Sequence, residues 1–347
     1  MSVMDLFRED ALATVDRSTL ENYATCPLMG RLKETGVGKS AGKLAEDGEE
    51  VHRSLGVVLS EYVASEGNMT PAELSERALS ELRDARPDLQ PDVVEASRRM
   101  LWPWARYVAG VNPHNILHYD GGSGAWSGQL AHDFETQQAR VTSEIDLAHV
   151  GASAEVIEEV DYKTGWKKHT DEGVRESFQF QLHALLLMHT YPQVEEVRVR
   201  VWVTRHGYMT RRVAFTRGDL PTIEARVLSA LAAWNANRNQ DPADVEAWPV
   251  REKCALCDAV NYCTACDRDI SDFALDPCAA VDTMAALEAK LGGLVKLARA
   301  YVKQHGEIVT PNGNAFGFDK PKKSRAPTAT LYTVDVDEDG DDAGGES

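Results

Sequence analysis

Apolar residues recur every three or four positions in several stretches, the spacing of helices that bury one face. Leu20 and Tyr23 pair this way behind Ser18, a residue suited to cap a helix, and Cys26-Pro27 closes the segment. Residues 46–64 carry the stripe Val51, Leu55, Val58, Leu59 and Tyr62, with His52 at its edge. Residues 70–110 predict two helices. One opens at Thr70-Pro71 and repeats through Leu74, Ala78 and Leu82; the other follows Pro91 and ends in Met100-Leu101-Trp102-Pro103-Trp104. Further helices are predicted over 172–190, buried through Phe178, Leu182, Leu185 and Leu186, and over 220–238 and 282–305.

Elsewhere the period is two. Strands are predicted near 130–136 and over 141–149, where Ile145 and Leu147 face one way and Glu144 and Asp146 the other. A third ends in Val160-Asp161-Tyr162-Lys163-Thr164-Gly165; alternation sets Asp161 and Lys163 on one face, Val160 and Tyr162 on the other. Three short strands this close predict an antiparallel meander. Val197, Val199, Val201 and Val203 alternate with Arg198 and Arg200 in a longer strand that turns at His206-Gly207 into 208–215. Pro311-Asn312-Gly313-Asn314 predicts a hairpin. Residues 1–16 read as a loose lead-in and 326–347 as a disordered acidic tail. The class is α/β.

With 347 residues the chain can build one or two domains, and 43% hydrophobic content is ordinary. No apolar run has membrane-spanning length, and the first ten residues are too charged for a signal peptide, so a cytoplasmic, reducing setting is expected. There the six cysteines are metal ligands or buried thiols rather than disulfides. The net charge is −18; seven acids lie in 335–347, which hold no Lys or Arg, leaving −11 on the rest. A nucleic-acid partner then needs a focused basic patch or metals that neutralise phosphate. Gly36-Val37-Gly38-Lys39-Ser40 is no phosphate loop, because Lys33 stands where the leading glycine is required.

Two groups carry chemistry. An acid and a lysine side by side at a strand end can bind a divalent metal and steady charge on a phosphate, although an isolated D-x-K is most often a surface ion pair. Cys254, Cys257, Cys263 and Cys266 lie within thirteen positions, and thiolates two residues apart reach one metal across a tight turn; which metal is left open by the spacing. Gln179 and His183, four apart, share a helix face.

The order helix, three strands, helix, strand, with an acid on the second strand and D-x-K on the third, resembles the PD-(D/E)XK nuclease superfamily. Within it the chain is similar to the RecB-type exonucleases, including their CRISPR-associated and iron–sulfur members. The matching residues are Ser18-x-Leu20-x2-Tyr23-x2-Cys26-Pro27, Gly48-x3-His52, Ser143-x2-Asp146, Asp161-x-Lys163-Thr164-Gly165, Gln179-x3-His183 and Cys254-x2-Cys257-x5-Cys263. Ser143 stands for the usual glycine and His183 for the usual tyrosine. The resemblance implies a restriction-endonuclease-like core over 17–250 with a helical insertion at about 66–112. A cysteine segment follows over 251–278, then a helix and hairpin over 279–325. It implies that His52, Asp146, Asp161 and the Tyr162 carbonyl hold Mg2+ or Mn2+. Lys163 then orients water and opposes phosphate charge, and Gln179 binds beside it. His183, Lys167 and Lys168 are the expected DNA contacts. Cys26, Cys254, Cys257 and Cys263 hold a [4Fe–4S] cluster joining the two ends of the fold. The activity implied is phosphodiester hydrolysis in DNA recombination or repair, with a protein partner from that machinery. The alternatives are a non-catalytic DNA-binding or assembly module of the same fold and a zinc-stabilised scaffold on the four local cysteines. The intact His52, Asp146, Asp161 and Lys163 weigh against the first. The short five-residue gap, and a Cys26 left without a role, weigh against the second.

Overall fold

The computed structural model describes residues 12–37, 43–87, 91–121, 127–165, 169–204, 208–248, 277–306, 308–309, 314–318 and 329–333, with Cys254, Cys257, Ala259, Tyr262 and Cys263. The chain divides into two units, 1–246 and 247–347.

The first unit opens with a strand, β1 (Ala13–Asp16), where a loose lead-in was expected. Val15 explains the difference: it is buried at 3% exposure in the core, and β1 runs parallel to β4 (Ala139–Glu144) with Val15 opposite Val141. Helix α1 (Arg17–Thr25) is capped by Asp16 rather than Ser18. The Asp16 carboxylate accepts the Thr19 N–H at 3.0 Å and the hydroxyls of Ser18 and Thr19. Cys26 ends α1, and Pro27, which lacks the amide a first turn leaves unpaired anyway, starts α2 (Pro27–Glu34).

Helix α3 (Lys43–Ala64) buries Leu55, Val58, Leu59 and Tyr62 of the predicted stripe, with Val51 half-buried beside them. Thr70 and Glu73 form a capping box at the start of α4 (Pro71–Ala85). Helix α5 (Pro91–Val108) runs on past Pro103 to Val108. These three helices share one hydrophobic cluster with Leu147, Val160, Tyr162 and Trp202.

Those last four residues belong to the main sheet, ordered β2 (Ile116–Tyr119), β5 (Leu147–Val150), β6 (Val156–Lys163), β7 (Glu196–Val203) and β8 (Tyr208–Met209), with β9 (Val213–Thr216) also pairing β7. β6 and β7 run parallel, and helices cover both of their faces, so β6 is buried throughout except at its ends. Ile157 of β6 and the four valines of β7 face a second cluster with α1, α7 (Phe178–Thr190) and α8 (Leu220–Asn237). The simple meander does not hold. The predicted strand over 141–149 breaks at Ile145-Asp146: β4 pairs β1 and β3 (Gln129–Phe134) in a separate sheet, and only β5 enters the main one. The predicted helix over 172–190 is likewise two, α6 (Asp171–Glu176) and α7, because Ser177 takes an extended conformation between them.

In the second unit, α9 (Pro277–His305) precedes a sheet of β10 (Ile308–Val309), β11 (Asn314–Phe318) and β12 (Ala329–Thr333). β10 and β11 form the predicted hairpin, its turn lying outside the described residues. β12 corrects the expectation of disorder from 326 onward. Ala329-Thr330-Leu331-Tyr332-Thr333 is rich in β-branched and aromatic residues and pairs along the whole of β11. Residues 334–347 lie outside the described residues.

Candidate active site

Alternation along β6 places Glu159, Asp161 and Lys163 on the face covered by α7, while Val160 and Tyr162 pack on the helices of the other side. The Tyr162 hydroxyl accepts the Trp104 indole N–H at 3.0 Å, so α5 holds the back of the strand.

On the front, Lys163 Nζ lies 3.0 and 2.8 Å from the two oxygens of Asp161 and donates to Gln179 Oε1 at 3.1 Å. Gln179 in turn donates from Nε2 to Asp161 Oδ1 at 2.6 Å. Three residues predicted to act together therefore touch. Asp161 is 3% exposed, and its Oδ2 takes no well-aligned hydrogen bond. Burial by itself would lower the Lys163 pKa, but Asp161 and Asp146 outweigh it and hold the ammonium above its ordinary range.

Asp146 sits at the break between β4 and β5. Its Oδ2 accepts the Tyr162 main-chain N–H at 2.5 Å, and its Oδ1 lies 2.9 Å from His52 Nδ1. Burial pushes the Asp146 carboxyl up, yet His52, Lys163 and the Tyr162 amide hold it below its usual range. His52 shows the reciprocal balance: burial alone would lower it, but Asp146 and Asp161 raise it to about 9. His52 and Thr164 line a cleft of about 680 Å³ with Gly48, Asp120 and Glu144.

A divalent cation fits this donor set. Two aspartate oxygens and one imidazole nitrogen, hard and borderline donors of the kind that hold divalent ions, gather where His52 and Asp120 line an open cleft. One donor atom from each of His52, Asp120 and Asp146 lies within 4.8 Å of the others. Asp120 has no place in the sequence motifs; its one local signal is an acid just before the run Gly121-Gly122-Ser123-Gly124 in the sequence.

His183 departs from expectation. It is 1% exposed, with Nδ1 2.5 Å from Glu159 Oε1 and Nε2 2.8 Å from Ser143 Oγ. It lies beneath the D-x-K group, and its burial takes it out of reach of a DNA strand. Burial is also the main reason the Glu159 carboxyl is pushed up, with repulsion from Asp161 and Asp146 adding to it against the pull of His183. Lys167 and Lys168 lie outside the described residues. Cys26, in the first unit, is half-buried; so are Cys254, Cys257 and Cys263 in the second, where the Cys257 N–H donates to the Cys254 carbonyl at 3.0 Å in a tight turn. Cys266 lies outside the described residues.

No curated relative matches the sequence. The family model of the PD-(D/E)XK nuclease superfamily matches residues 17–264, well over half the chain. The matched span takes in the strand break that carries Asp146, all of β6 and the helix that supplies Gln179, and the chain belongs to the PD-(D/E)XK nuclease superfamily.

Proposed function

We propose that this member of the superfamily is a metal-dependent deoxyribonuclease of the RecB exonuclease type, acting in DNA recombination or repair beside a protein partner. The observation that carries the catalytic half is the bonded group of Lys163, Asp161 and Gln179 beside Asp146 and His52, the last of which lines an open cleft. His52, Asp146, Asp161 and the Tyr162 carbonyl would hold Mg2+ or Mn2+, which when bound would lower the pKa of a water and offset charge on the scissile phosphate. Lys163 is a fixed cation, positioned from both sides by Asp161 and Gln179. It orients the attacking water and opposes charge that grows on the phosphate oxygens. Lys167 and Lys168 follow the strand end and contact the DNA backbone.

The second half of the reading is a [4Fe–4S] cluster on Cys26, Cys254, Cys257 and Cys263. The C-x2-C turn and the half-burial of all four cysteines support thiolate ligation. A cluster that ties Cys26 to residues more than two hundred positions later closes a very long loop and limits the unfolded chain.

End-labelled single- and double-stranded DNA, incubated with Mg2+, Mn2+ or EDTA, tests the activity. Shortening from the ends in metal and none in EDTA is expected. Cutting of closed circles at the same rate would refute the exonuclease assignment, and inert folded protein in both metals would refute the nuclease one. Oxygen-free purification tests the cluster. Cys26→Ala should bleach and destabilise the protein, whereas Cys266→Ala should keep its colour and iron. Full iron in the first together with lost metal in the second would replace the cluster by a local four-cysteine site.

A further inference from the structure

The cleft is lined by acids that the Lys163 group does not use, and one of them, Asp120, stands beside His52 and Asp146. Asp120 follows β2, and its main-chain N–H donates to the Asp146 carbonyl at 3.1 Å. Its carboxylate stands within 4.8 Å of donor atoms of both His52 and Asp146. The backbone at Asp120 packs closely against two glycines. A Cβ added to Gly56 of α3 would fall 2.3 Å from the Asp120 carbonyl oxygen. On the opposite side, a Cβ on Gly128 would fall 3.1 Å from Asp120 Cα and N, and 2.7 Å from the Ile145 carbonyl oxygen. Atoms cannot approach so closely, so both positions need glycine. His52 lies one helical turn before Gly56. The approach that seats Asp120 against α3 therefore also brings it beside His52.

Lys163 is committed to Asp161 and Gln179 at the other end of the group, so the oxygens of Asp120 and Asp146 and the His52 nitrogen are the atoms placed to hold a cation here.

We propose that Asp120 is a ligand for a divalent cation together with His52 and Asp146, extending the metal site of this chain beyond the D-x-K group. The inference rests on the nuclease reading above. Two carboxylates and one imidazole suit Mg2+ and Mn2+, and the nitrogen favours Mn2+.

Mn2+ alone, titrated into the full-length protein without DNA, provides a readout independent of cleavage. Calorimetry on the wild type, Asp120→Asn, Asp146→Asn and Asp161→Asn gives affinities, and thermal melts in EDTA and in Mn2+ accompany it. Asp120→Asn should weaken Mn2+ binding at least tenfold. In Mn2+ it should gain less over its own melt in EDTA than wild type gains. Wild-type Mn2+ affinity in Asp120→Asn, with binding impaired in Asp146→Asn, would overturn the role of Asp120 and leave the nuclease reading intact. A lower melt in EDTA with an undiminished gain from Mn2+ would overturn it too, making Asp120 structural. Unimpaired binding in both Asp146→Asn and Asp161→Asn would remove the metal reading itself, and this proposal with it.

Discussion

Asp146 is gripped by donors of different kinds, a main-chain amide from β6 and an imidazole from α3. Neither needs a metal to be present, so the carboxylate is positioned in advance, which is where much of an active site's electrostatic advantage comes from. His52 stores part of that electrostatics as a tightly held proton. Its pKa rises to about 9 in the fold against an ordinary value of about 6.5. A group that binds its proton more tightly when folded stabilises the fold fully below about pH 6.5 and loses that contribution as pH rises towards 9. The metal-free protein should thus melt at progressively lower temperature from pH 6.5 to 9, and His52→Gln should flatten the decline. Equal slopes in wild type and variant would show that the pair carries no such coupling. Lys163 invites the sharper test. Lys163→Ala in Mg2+ should lose at least about 10²-fold in single-turnover cleavage, with its near-UV circular dichroism kept. Wild-type rates would dismiss Lys163 from the chemistry.

The pairing of β6 with α7 is a match of two repeats. Two residues along a strand span about 6.6 Å, and four along a helix about 6 Å. Asp161 therefore meets Gln179, and Glu159, two residues earlier, meets His183, four residues later. The upper pair holds Lys163 between its members; the lower pair is sealed, with Ser143 of β4 completing the histidine's bonds. His183 is the only buried histidine of α7 and lies among leucines, so its partner has to come from the strand. His183→Ala should destabilise the fold by at least about 2 kcal/mol, from the cavity and from the stranded Glu159, as urea unfolding would measure. DNA affinity per folded molecule should not change. The reverse pattern, full stability with weakened DNA binding, would restore His183 to the DNA surface.

At the scale of the whole chain, two cores flank the main sheet, one of helices α3 to α5 and one built on α1, α7 and α8. The site lies where β4 leaves one sheet and β5 enters the other, so its acids come from strands held by different neighbours. Among the described residues no helix is long and apolar enough to cross a membrane. The net charge of −18 opposes the approach of DNA, and the seven acids of residues 335–347 contribute strongly to it. Deleting those residues should tighten DNA binding at low salt, with the gain fading as salt screens it. Identical binding across a salt series would show that the tail's charge does not reach the cleft.

Much of this was legible in the order of residues. Period-two alternation put Asp161 and Lys163 on one face, and the helical stripe of α3 carried His52 at its edge, because those periods follow from local backbone geometry. The motif series, spread over residues 18–266, named the superfamily that the matched span of 17–264 bears out. Other features had no local cause. Asp16 displaced Ser18 as the cap because β1 pairs with β4, more than a hundred residues later. Asp146 became the hinge of a strand that changes sheets, although its pattern read as one continuous strand. His183 was drawn inward by Glu159, and Asp120 was brought to His52 by two glycines where backbones touch. Periodicity says which face a side chain takes; what stands opposite that face is settled by segments distant in the chain, and only the packed structure brings them together.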